Sequence, residues 1–88
     1  MANKRPLKKA IHLICEDLFA DAIALSLYGA EAQQESANAL LFSIVKLEDE
    51  YICRISHPEP GMKANDYFKK LREQFGAQVN DIIDQMNG

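Results

Sequence analysis

The sequence predicts an all-α domain, a three-helix up-and-down bundle. Three observations carry the prediction. Apolar residues recur at three and four residues in the first and last segments, the period of a helix. Proline and glycine gather at the segment boundaries, Gly76 apart. A chain of 88 residues has room for one small domain, residues 1–88, and that length suits three helices joined by short turns.

The first helix is expected over about 6–28. Pro6 suits a first turn, because the amide it lacks would have no intrahelical partner there. Leu7, Ile11, Ile14, Leu18, Ala22 and Leu25 form its stripe. Gly29 then offers a left-handed stop.

The second helix is expected over about 33–56. Leu40, Leu41, Ile44, Val45, Leu47, Tyr51, Ile52 and Ile55 make one broad apolar face, and Ser36 is a candidate cap for a late start. Glu48 projects near the centre of that face. A lone buried carboxylate is costly, so Glu48 must be paired, protonated or at an edge, with Arg72 as candidate counter-ion. The alternative is α-β-β-α, with strands Leu41–Leu47 and Tyr51–Ile55 turning at Glu48-Asp49-Glu50. That turn lacks the Asn-Gly or Asp-Gly chemistry of tight hairpins, and two strands alone would lean on the helices for stability.

Residues 57–63 read as a loop. Pro58 disfavours an α conformation at His57. Glu59-Pro60-Gly61 suits a type II turn, with proline second and glycine third. The third helix follows over about 64–86, with Asn65 or Asp66 as cap. Its stripe is Phe68, Leu71, Phe75, Val79, Ile82, Ile83 and Met86, with Lys69, Lys70, Glu73, Asn80, Asp81 and Asp84 off it. Gly76 weakens the middle by about 1 kcal/mol relative to alanine, and close packing on another helix is one reason for it.

Net charge is −3 and the pI about 5.3, which argues against a general nucleic-acid binder. Lys69, Lys70 and Arg72 lie near Tyr67 and Phe68, but helical spacing turns Phe68 to the core. Lys4, Arg5, Lys8 and Lys9 cluster at the start and Glu48, Asp49 and Glu50 in the middle, as solvated faces do. The apolar run after Lys9 is too short and too soon charged for a signal peptide, and nothing approaches the ~20 apolar residues of a membrane span. Two cysteines, Cys15 and Cys53, are fewer than a small secreted fold carries. A cytoplasmic protein with reduced thiols is expected.

Catalytic signals are weak. Ser56, His57 and Glu59 hold the groups of a triad, but near-neighbours on one loop seldom converge in a line. No catalytic residue is assigned, and no phosphate-cradling loop or dinucleotide fingerprint occurs. His12, Cys15, Cys53 and His57 could supply four zinc ligands at i, i+3 and i, i+4. If the first two helices run antiparallel through Gly29 and Ala30, position 13 faces about position 48. The Cys53/His57 pair then lies roughly 10 Å further on, or roughly 6 Å with a longer connector, so the bland reading is two buried cysteines and two partly exposed histidines. No metal or cofactor is assigned.

The first helix also carries a second apolar seam. Leu13, Ala20, Ala24 and Leu27 follow at seven, four and three residues. A three-helix bundle needs one stripe per helix, so the surplus points to self-association or another protein partner; the alternative is packing against residues 30–36 of the same chain. His57 and Glu59 are candidates for a polar contact.

The loop "RISHPEPG", followed by "MKANDYFKKL", resembles one in short, all-helical bacterial proteins of no assigned function. The resemblance covers most of the chain. It implies a helical middle segment and a bacterial cytoplasmic setting, and it attaches no activity to any residue. The expected function is thus a non-enzymatic helical interaction module or homodimer. The alternative is a metal- or small-ligand-binding protein using His12, Cys15, Cys53 and His57.

Overall fold

A computed structural model of the chain describes residues 4–87. They form three helices, α1 (Lys4–Tyr28), α2 (Glu31–Ser56) and α3 (Ala64–Asn87). No strand occurs among the described residues, so the hairpin alternative is overturned. The reason is visible at Glu48, which sits at the edge of the α2 stripe and keeps 28% of its side chain exposed. The helix therefore buries no lone carboxylate.

Each helix turns one stripe inward. Ile11, Cys15, Leu18 and Ala22 of α1 meet Leu40, Ile44, Leu47, Tyr51 and Ile55 of α2 and Tyr67, Phe68, Leu71, Phe75 and Ile82 of α3 in one buried cluster. Polar side chains join the helices as well. His12 meets Glu48, while Arg54 meets Gln74 and Tyr51 meets Gln78. The Cα atoms of α1 and α2 come within 8 Å of each other far more often than those of either helix do with α3.

That asymmetry explains where the expected core is displaced. Cys15 takes the place expected of Ile14, which is exposed on the flank turned away from α2. Val45 and Ile83 are exposed as well. At 100° per residue Ile83 and Tyr67 lie on opposite flanks of the Phe68–Leu71–Phe75 line, and the buried flank is that of Tyr67, whose hydroxyl reaches the Arg54 carbonyl of α2.

The turns correct several further expectations. Gly29 is not left-handed; among the described residues only Gly61 has positive φ, at 88°. Gly29 is required for close approach instead, since a Cβ there would stand 2.7 Å from the Leu25 carbonyl oxygen. The chain then enters α2 at Glu31 rather than near Ser36, which lies inside the helix. The Ala30 amide donates to the Gln33 side chain at 3.1 Å, and the Gln34 side chain donates to the Gly29 carbonyl at 3.0 Å. This ties the two-residue connection without a serine cap. Asn65 and Asp66 lie in the first turn of α3 rather than at its cap. A Cβ on Gly76 would meet nothing, so packing does not account for that glycine.

The 57–63 loop follows its sequence closely. The His57 amide donates to the Cys53 carbonyl at 3.0 Å and closes α2. His57 is held out of the α region at φ −128° and ψ 71°. The Met62 amide reaches the Glu59 carbonyl at 3.4 Å across Pro60 and left-handed Gly61. No helix among the described residues is long and apolar enough to cross a membrane.

Candidate interaction surface

The surface begins with α1's surplus of apolar residues. A 3.6-residue period that turns Ile11, Cys15, Leu18 and Ala22 inward places Leu13, Ala20, Ala24 and Leu27 on the opposite side. All four are exposed, Leu13 by 49% and Leu27 by 62%. Residues 31–36 belong to α2 and do not cover the seam. Tyr28 extends the exposed apolar surface at the turn end.

The seam runs into a groove between α1 and α2. Phe19, Ala20, Ile23 and Val45 give it apolar walls, Cys15 and Ile44 its floor, and Glu16, Asp17 and Glu48 its acidic margin. Its volume is about 570 Å³. A second cleft of about 790 Å³ lies towards the loop end, lined by Lys8, Lys9, His12, Asp49, Ile52 and Cys53. Glu48 lines both.

His12 and Glu48 clasp the two helices at that boundary. His12 Nδ1 donates to the Glu48 carboxylate, and His12 Nε2 stands 3.5 Å from Glu16 Oε1 on the next turn of α1. The hydrogen bond to Glu48 and its negative charge hold the imidazole pKa above its ordinary 6.5, with Glu16 adding a smaller push. Arg72, the expected counter-ion of Glu48, is exposed on α3, and His12 takes its place. The signal for this pair was in the register estimate, which set position 13 opposite position 48 and so His12 within reach of Glu48.

The candidate metal ligands fall at different places. Cys15 is buried at the groove floor, and burial, with Glu48 nearby, pushes its thiol up to about 11. It is held as a thiol, the form that neither attacks nor binds zinc well. Cys53, expected to be buried, is exposed in the other cleft. It lies past the α2 stripe, on the flank that no other helix covers. His57 is exposed at the α2 terminus. Among the described residues no three His, Cys, Asp or Glu side chains form a metal-binding group.

The proline loop assembles no triad either. Ser56 Oγ donates back to the Ile52 carbonyl at 3.0 Å, along its own helix. His57 and Glu59 are both exposed, and the Glu59 carbonyl serves the turn. Arg54 is the polar residue that sequence reasoning passed over. Its guanidinium lies 4.9 Å from the centroid of the Tyr51 ring and donates to Gln74 Oε1 at 2.6 Å, while its carbonyl accepts from Tyr67 Oη at 3.1 Å. The two hydrogen bonds join α2 to α3, and the stacking on Tyr51 holds the guanidinium within α2, so its role is to hold the fold.

Compared with protein-family models, curated proteins and solved structures, the chain gives no match.

Proposed function

We propose that this protein is a non-enzymatic helical interaction module, an up-and-down three-helix bundle that self-associates through the solvent side of α1. One observation carries the reading: Leu13, Ala20, Ala24 and Leu27 form an apolar line on the face opposite the buried stripe, with none of the described residues packed over it. Water gains nothing from ordering around half-exposed leucines, so covering them is favourable by about 25 cal/mol per Å² removed. Ala20 and Ala24 let a second helix come close. The setting proposed is a bacterial cytoplasm, and the exposed His57 and Glu59 at the loop end are the proposed polar contact for a further protein.

A single pair of helices covers less than the ~1,600 Å² of a standard interface, so a micromolar dissociation constant is expected. Sedimentation equilibrium from about 1 to 500 μM tests this. The wild type should shift from one copy to two across that range. A Leu13→Glu/Leu27→Glu double variant should keep its helical spectrum and sediment as a single copy, because both sites already face water. A wild type that stays single throughout refutes the proposal.

A further inference from the structure

The groove between α1 and α2 is graded in polarity. Along α1 the carboxylates of Glu16 and Asp17 come first, towards the loop end, and Phe19, Ala20 and Ile23 follow. Glu48 adds its carboxylate at the same end, where it meets His12. From Glu16 to Ile23 the helix rises roughly 10 Å. Val45 extends the apolar wall on α2. The floor, Cys15 and Ile44, is buried, and Cys15 stays an uncharged thiol.

Charge decides what fits there. The charged side chains that line the groove are all carboxylates. Among the described residues the ion pairs are those of His12 with Glu16 and with Glu48, and no lysine or arginine pairs with any of the three. One imidazole thus stands against three negative charges. An apolar channel that ends in uncompensated carboxylates attracts a positive head with an apolar tail and repels an anion. We infer that the groove binds a free small amphiphilic cation, an amine or ammonium on a single apolar chain. Its head lies at Glu16, Asp17 and Glu48 and its chain runs along Phe19, Ile23 and Val45. Size favours a small molecule over a docked helix. The volume of about 570 Å³ falls in the range of small-molecule sites, whereas three turns of helix run about 16 Å, well past the graded stretch. The site shares only Ala20 with the Leu13–Leu27 seam and does not rest on self-association.

Amide NMR titration of the full chain with octylammonium tests this, with octanol and octanoate as controls of equal chain length. Octylammonium should shift the signals of residues 15–23 and 44–48 and bind about tenfold more tightly than octanol, with octanoate weakest. A Glu16→Gln/Asp17→Asn variant, changed at two exposed positions, should weaken octylammonium about fivefold and leave octanol as it was. Ile23→Gln/Val45→Gln, also at exposed positions, should weaken both probes by the same factor. Equal affinities for the three probes overturn the inference, because the carboxylates would then select nothing. An unchanged octylammonium affinity in the Glu16→Gln/Asp17→Asn variant, shifts centred outside the groove, or no binding at millimolar octylammonium overturn it as well.

Discussion

Toward α1, α2 offers Ala37, Ile44 and Glu48; toward α3 it offers Leu47, Tyr51 and Arg54. The first face is built for closeness. Ala22 and Ala37 are fully buried, and the register that sets His12 on Glu48 puts them at nearly the same level. The second face is built for bulk. The Tyr51 ring meets Phe75 edge-on with centroids 5.1 Å apart, and its hydroxyl accepts from Gln78 Nε2 at 3.0 Å. Small residues draw two backbones together but carry little directional information. Aromatic rings hold helices apart and fix their rotation through edge contacts and polar tips. One helix therefore meets its two neighbours with opposite solutions, close and smooth on one side, distant and keyed on the other.

The aromatic side should be the easier to break. Tyr51→Ala empties a fully buried ring site and should cost about 3–5 kcal/mol, a large share of the stability of a domain this small. Tyr51→Phe keeps the ring and removes only the acceptor of the Gln78 bond, a loss of about 1 kcal/mol. Urea denaturation followed by helical circular dichroism measures both. Equal losses would mean that the polar tip, not the ring, holds α3 in place.

The close side is tested by adding volume instead of removing it. Ala22→Leu inserts three heavy atoms where two helix backbones approach and should destabilise by about 1–3 kcal/mol in the same assay. A neutral or stabilising result would show that α1 and α2 stand further apart than described.

The smallest effect concerns the clasp on that close side. Because the folded-state pKa of His12 is raised above 6.5, the charged pair adds stability that is fully present below 6.5. That increment fades as pH rises through the elevated folded value. Thermal melts of the wild type between about pH 6 and about pH 8.5 should therefore show a falling midpoint relative to a His12→Gln variant, whose own profile should be flatter. Parallel profiles for the two proteins would remove the clasp from the stability of the α1–α2 pair.

The punctuation was legible at residue level where local sterics dominate. Pro58, Pro60 and Gly61 act through their own dihedral limits, so the loop from His57 and its type II turn could be read without knowing what surrounds them. Gly29 could not. Its stop is expected from left-handed freedom, but a Cβ there would meet the Leu25 carbonyl of its own helix and the Gln33 side chain, which arrives only once α2 folds back. The seam on α1 was likewise readable from period alone. Its exposure was not, because that depended on α2 beginning at Glu31 and leaving no connector to lie across it.

Sequence alone settled the helical character of the first and last segments, the place of the proline turn and the surplus of apolar residues on α1. All three follow from spacing or from one residue's own geometry. Which flank of each stripe is buried, which partner Glu48 takes and where each cysteine lies were decided by the tertiary structure. These depend on how closely three helices approach one another and at what rotation, and that is a property of the assembled side chains, with no trace in the period of any one helix.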